Sequence, residues 1–492
     1  MRASLTSRAL RALAWSFVGR GGQQVVALVV GLVLARLLLP EQFGLLGMLT
    51  VFIALSGRFV DSGLSAALIQ KRDVSNLDQC SVFYFNIAVG VAMCLLLCVL
   101  APSVAAFYGQ PRLVPILRTV SLKLAIQPFG AVHGTILRKR LEFSRLALPG
   151  IITACCSGGV GIGMAFTDCG VWALVGQQLT ASVLHTVLLW FVSPWRPCLA
   201  FSFASLRTLL GFGGNLLAAS LIGTFFRHVY TLIIGYMYPP AALGFYQRAY
   251  LLVVRPIKAI MPSVRGVLFP ALTEVQDAPE RMQRGAARAV GTTVAVVFPT
   301  MVLLAVTARS LVSLLLTDKW LPCVPYVRIL CISGMLAPLQ HINLILVQAA
   351  GRSDLYLRLS LAKRTITVAI LAVFVHWGVI GLVAGQAVGS VIAYLLNSRY
   401  AGTLAHYPLG RQLRDVVPYL QASVAAGVAA IVLHWTPLAT HPPLLLAIQV
   451  GLGATVYLAI CEAMHPPAYE TAKTLLQRWR QVGGGGDRHT RL

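Results

Sequence analysis

Acidic side chains are what this chain has least of. Fifteen Asp and Glu stand against forty Lys and Arg, and charged residues of both signs fill only 11% of 492 positions. With 57% hydrophobic residues and a mean hydropathy of +0.77, the chain has more apolar surface than a soluble fold can hide. The composition is that of a polytopic membrane protein. The formal charge of +25 then reads as a loop bias, and no nucleic-acid partner is expected. A GxxxxGK[ST] stretch is missing, which excludes ATP hydrolysis of the P-loop kind. The loops expected outside offer little beyond Glu41, Asp168 and Asp318, too few groups for a catalytic centre at a water interface. No enzyme activity, cofactor or metal is expected. The ten cysteines lack metal-ligand spacing and read as small packing residues in apolar runs; no disulfide is assigned to Cys169 and Cys323, both expected at the outer face. The first apolar run, 13–39, is too long for a cleavable signal.

What is present is apolar sequence in runs of bilayer length. About fourteen can be counted: 13–39, 43–69, 80–101, 114–137, 146–166, 171–193, 211–235, 242–270, 289–311, 324–350, 357–377, 379–398, 416–435 and 443–463. Between them the cations alternate by side. One set of loops takes Arg2, Arg8 and Arg11, then Lys71 and Arg72, Arg138 to Arg145, Arg196 and Arg207, Arg281 to Arg288, Arg352 to Arg364, Arg399 to Arg414, and the tail from Lys473. The other set holds Arg112, Arg309 and Lys319. By the positive-inside rule both termini are cytoplasmic.

The halves of the chain echo each other. Residues 170–182 read GVWALVGQQLTAS and residues 378–390 read GVIGLVAGQAVGS; the turn PEQFG at 40–44 is echoed by PPAALG at 239–244. Both separations match roughly six helices, and an even number relates two halves by an axis along the membrane normal. The expected fold is all-α, with an N-terminal six-helix bundle (1–200), a C-terminal six-helix bundle (201–410), two appended transmembrane helices (411–465) and a cytoplasmic tail (466–492). Gly159, Gly161 and Gly163 read as close-packing positions of the fifth span.

Charge inside the spans is the sharpest functional signal. The stretch 244–270, GFYQRAYLLVVRPIKAIMPSVRGVLFP, carries Arg248, Arg255, Lys258 and Arg265. As a helix it places them within an arc of roughly 100° over about 26 Å, most of the hydrocarbon thickness. A cation at that depth costs several kcal/mol unless it faces water, protein or a ligand, so a one-sided cationic stripe implies a polar cavity that expects an anion. Arg20, Arg36, Arg58, Arg118, Lys123 and Arg227 add to it. The blander readings are that Arg20, Arg36 and Arg118 snorkel to the interface, that Arg58 and Asp61 neutralise each other on one helix face, and that His133, His185, His228 and His341 are packing residues. Asp61 is the sole acid well inside an expected span, hence the ion-coupling candidate. The expected cavity residues are Arg58, Asp61, Lys123, Arg227, Arg248, Arg255, Lys258 and Arg265.

Motifs from the first span to the tenth carry a resemblance: LARLLLPEQFG (34–44), DSGLSAALIQKRD (61–73), FYGQPRLVPILR (107–118), GVWALVGQQL (170–179), LGFYQRAY (243–250), VLFPALTEVQDAPERM (267–282) and WLPCVPYVRIL (320–330). The chain resembles the polysaccharide transporters of the multidrug/oligosaccharidyl-lipid/polysaccharide exporter superfamily, in the branch of colanic-acid and exopolysaccharide flippases. The resemblance implies alternating access by two six-helix bundles with two extra helices. It implies an undecaprenyl-diphosphate-linked oligosaccharide as cargo, the bacterial inner membrane as location, membrane lipids as surroundings, and polysaccharide polymerase and chain-length or export proteins as partners. The family often has an acid in the seventh helix where this chain reads FRHVYTLIIG, with Tyr230 at the matching position. Two alternatives stand beside this reading: a cation-coupled drug antiporter of the same fold, and a membrane-embedded polymerase or transferase.

Overall fold

Proline opens several of the helices. Pro40, Pro128, Pro240 and Pro279 each stand at the first position of one, where the missing N–H is harmless because the leading amides of a helix have no intrahelical acceptor. The computed structural model describes residues 2–433, 442–467, 469, 470, 473 and 474; these are helical apart from short connections, with no strand among them. Most of the expected tail, and the side chains of Arg2, Arg8, Arg11 and Arg20, lie outside the described residues.

Packing divides the chain into two units, Met1–Gln247 and Arg248–Leu492. The first holds α1 (Arg2–Leu37), α2 (Pro40–Asp61), α3 (Leu64–Gln70), α4 (Asn76–Phe107), α5 (Leu113–Ile126), α6 (Pro128–Lys139), α7 (Phe143–Phe166), α8 (Val171–Val192), α9 (Phe203–Met237) and the start of α10 (Pro240–Thr273). The second holds the rest of α10, then α11 (Pro279–Leu316), α12 (Val324–Ala349), α13 (Ser353–Phe374), α14 (Gly378–Ala405), α15 (Leu409–Val432) and α16 (Pro442–Met464). Helix α9 goes with the first unit because it packs along α2, α3 and α4.

The protein is an all-α, multi-pass membrane protein. Ten helical stretches among the described residues are long and apolar enough to cross a bilayer, fewer than the fourteen expected. The difference has local causes. Pro128 divides the fourth expected span into α5 and α6; α10 carries four cations; α13 and α14 follow each other so closely, through a short turn at Val375–Trp377, that they form one apolar stretch. The second expected span is also interrupted: Ser62 (φ 46°) and Gly63 (φ 69°) take left-handed conformations that end α2 before α3 begins.

Each unit has its own core. In the first, Val30 and Leu34 of α1 meet Ala165, Ala173 and Leu174 of α7 and α8, while Leu64, Leu68, Phe83, Val132 and Leu206 join α3, α4, α6 and α9. In the second, Met282, Val290, Val294 and Phe298 of α11 meet Ile342 and Leu346 of α12, Tyr394 of α14 and Tyr419 of α15. Of the three glycines expected to aid close packing, only Gly161 does so, against Gln177; Gly159 and Gly163 have nothing within 4 Å. The echoed turns are in reciprocal contact. A Cβ on Gly44 would lie 1.7 Å from the Pro240 carbonyl oxygen, and one on Gly244 would lie 2.1 Å from that of Pro40.

Candidate functional site

The membrane-embedded polar residues of the first unit gather on two facing helix surfaces. Along α5 and α6, Lys123, Gln127, Gly130, Gly134 and Arg138 recur every three or four residues, so they share a face across the Pro128 junction. On α8, Gln178, Ser182, His185 and Thr186 do the same. The two glycines place no side chain between the polar groups, and the space left is a cavity of about 590 Å³. Its remaining walls come from Gln23 and Ala27 of α1 and from Gly150, Thr153 and Ser157 of α7. No Asp or Glu lines it.

Lys123 is the fixed point of this site. Its Nζ donates to Gln178 Oε1 at 2.7 Å; beside it Gln127 Nε2 donates to Ser182 Oγ at 3.4 Å, and Ser182 Oγ donates to the Gln178 carbonyl at 3.0 Å. An ammonium has three donors, so the amide oxygen leaves capacity for another acceptor. A second cavity of about 310 Å³ shares Lys123, Gln127 and Gln178 and reaches Thr50, Ala54 and Gly57 of α2. Lys123 thus stands between two polar spaces, neither lined by a carboxylate.

The other expected cavity residues are placed differently. Arg58 is half-buried and donates from Nε to Thr224 Oγ1 at 3.2 Å; among the described residues it forms no ion pair with Asp61. Asp61 is exposed at the last position of α2, where Ser65 Oγ donates to it at 2.7 Å, rather than well inside a continuous span. Arg227 is exposed on α9, and Tyr230 one turn on is buried.

The α10 stripe is graded along its length. Arg248 is buried, with Cζ 5.0 Å from the centre of the Trp320 ring; Arg255 is half-buried; Lys258 and Arg265 are exposed, and Arg265 Nη2 donates to Gln348 Oε1 at 3.3 Å. It flanks the apolar row Tyr246, Ala249, Val253, Ile257 and Met261, which is buried.

Sequence reasoning centred on charge missed the amides and hydroxyls. Gln23, Gln127, Gln178, Thr153, Ser157 and Ser182 sit in apolar runs, where an uncharged polar side chain is itself a signal of a polar interior. His185, read as a packing residue, lines the cavity. His133 does pack, with Trp190 and Trp195 ring centres at 4.9 and 5.0 Å. In the second unit Lys363 Nζ donates to buried Asn397 Oδ1 at 3.1 Å, whose Nδ2 donates to the Gln340 carbonyl at 3.2 Å, a second lysine–amide pair that a loop-charge reading passes over.

With this geometry in view, a model of the polysaccharide biosynthesis protein family matches residues 33–325. The chain belongs to that family. All eight expected cavity residues of this polysaccharide biosynthesis protein lie within the match. It is similar to the lipopolysaccharide biosynthesis protein WzxC of Escherichia coli, 27% identical over 80% of this chain and 79% of that one. It is also similar to the teichuronic acid biosynthesis protein TuaB of Bacillus subtilis, 26% identical over 86% of this chain and 88% of that one. Among solved structures, the lipid II flippase MurJ in an inward closed conformation superposes with a TM-score of 0.72 at 12% identity, covering 92% of this chain and 99% of that one. That likeness establishes the fold.

Proposed function

We propose that this protein is a flippase that moves polyprenyl-diphosphate-linked oligosaccharide repeat units across the bacterial inner membrane by alternating access, for exopolysaccharide or lipopolysaccharide assembly. The observation that carries the reading is the cavity of about 590 Å³ among apolar helices, lined by Lys123, Arg138, amides and hydroxyls without a carboxylate. Amides and hydroxyls match sugar hydroxyls as donors and acceptors. Lys and Arg make charge-assisted bonds to phosphate oxygens, while the polyprenyl tail stays in lipid. A cation antiporter would need acids in such a cavity. The printed names of the relatives WzxC and TuaB, both biosynthesis proteins of surface polymers, and of MurJ, a flippase of a lipid, support the same cargo class.

The wider arrangement belongs to the same proposal: bundles of residues 1–200 and 201–410, fourteen spans with both termini cytoplasmic, and substrate contact by Arg58, Asp61, Lys123, Arg227, Arg248, Arg255, Lys258 and Arg265. Polymerase and chain-length or export proteins are the proposed partners. Proteoliposomes carrying a sugar-labelled lipid diphosphate test the reading. The protein should speed exposure of inner-leaflet label to an impermeant external quencher, and label that stays protected as it does in protein-free vesicles overturns it.

A further inference from the structure

We propose that Cys80 and Cys198 form a peroxide-sensitive dithiol whose closure to a disulfide clamps the α8–α9 connection onto α4 and arrests translocation. Their Sγ atoms lie 2.7 Å apart, and both are free thiols. A disulfide needs about 2.0 Å, so the two sulfurs have only a short approach left. The surroundings hold them in register. The Cys198 backbone N–H donates to Cys80 Sγ at 3.1 Å, Trp195 Nε1 donates to Asn76 Oδ1 at 2.8 Å, and the Ser202 N–H donates to Ser81 Oγ at 2.9 Å. Cys94 and Cys98, the other neighbouring thiols of α4, both turn to Ser121 instead.

Cys198 is partly exposed and Cys80 is buried, so peroxide meets Cys198 first. The Cys198 thiolate attacks one peroxide oxygen, the O–O bond breaks, and a sulfenic acid and hydroxide form; the hydroxide takes up the thiol proton as water. The Cys80 sulfur then attacks the sulfenic sulfur, an S–S bond replaces the S–O bond, and a second water leaves with the Cys80 proton. Two thiols lose two electrons and two protons, and hydrogen peroxide is reduced to two waters. The new bond ties the connection that leads into α9, a helix packed on α2, α3 and α4, to the start of α4, and so removes freedom that an alternating-access cycle uses.

The test treats the full-length protein in proteoliposomes with hydrogen peroxide, alkylates remaining thiols and maps peptides by mass spectrometry. A Cys80–Cys198 linked peptide is expected, with loss of alkylation at both and a fall in flipping of roughly tenfold, reversed by dithiothreitol. Cys198→Ser should flip at the untreated rate and ignore peroxide; Cys80→Ala serves if that variant fails to fold. Full alkylation of both thiols after peroxide, or linked protein flipping at the unoxidised rate, overturns the inference. The transport arm rests on the flippase reading and the thiol arm does not, so untreated vesicles that fail to flip count against that reading while the linked peptide still decides the pair.

Discussion

The Arg248 guanidinium stacks on Trp320, with Cζ 5.0 Å from the ring centre and both residues buried. A desolvated cation–π pair is worth about 2 kcal/mol or more, and removing a buried indole costs about 3–5 kcal/mol through lost packing. Trp320→Ala should therefore lower the thermal midpoint in detergent strongly, and Trp320→Phe, which keeps a π face, much less. Equal loss from both substitutions would mean that volume alone matters.

Lys123 is the cation on which substrate recognition should depend most. Lys123→Met keeps length and removes charge, which forfeits a charge-assisted bond of about 1.5–3 kcal/mol and slows flipping roughly 10- to 100-fold. Lys123→Arg should retain more activity. Thermal midpoints near that of the unsubstituted protein in both variants, measured alongside vesicle flipping, separate lost recognition from lost folding.

The drive should be electrical. Moving about two negative charges outward against an inside-negative potential is favoured by roughly 4 to 5 kcal/mol at 100 mV. Asp61, exposed at the end of α2, is poorly placed for a buried proton relay. Flipping should accelerate with an imposed potential, and Asp61→Asn should flip within about twofold of the unsubstituted rate. A rate that ignores the potential but collapses in Asp61→Asn reverses both statements.

Asp78 anchors the start of α4. It is 3% exposed, and it accepts from Lys71 Nζ at 2.6 Å, from the Ser75 backbone N–H at 3.0 Å and from Ser205 Oγ. Asp78→Asn leaves the lysine without its charge partner, a change that costs about 3–5 kcal/mol at buried pairs. Because Lys71 is more exposed than Asp78, the lower figure is expected in thermal unfolding. Combining it with Lys71→Met should recover part of the loss.

Hydropathy made the helical, membrane-spanning class legible because a 20-residue apolar run has few other uses. The breaks were harder to place. Ser62–Gly63 and Gln127–Pro128 both carry turn or boundary chemistry in the sequence, yet each sits inside an apolar run that reads as one span. Pro256, Pro262 and Pro270 lie inside α10, which nevertheless continues to Thr273, a reminder that proline in a membrane helix is tolerated where neighbours satisfy the freed carbonyls. Of the expected cavity residues, Lys123 reached a cavity wall. Charge alone says how costly a side chain is in lipid but not which neighbour relieves it. Arg58 finds Thr224 and Arg248 finds Trp320, partners far off in sequence that no local pattern announces.

The reciprocal approach of Gly44 to Pro240 and of Gly244 to Pro40 bears on how a mutational screen should be interpreted. In each case the obstacle is a backbone carbonyl, which no neighbouring side-chain replacement can move aside. Both positions should therefore reject every substitution, and no second-site change at the facing proline should rescue them. In a survey of export-defective alleles they would rank beside true cargo contacts while touching no sugar or phosphate. Protein abundance in the membrane, scored for each allele, tells the two groups apart.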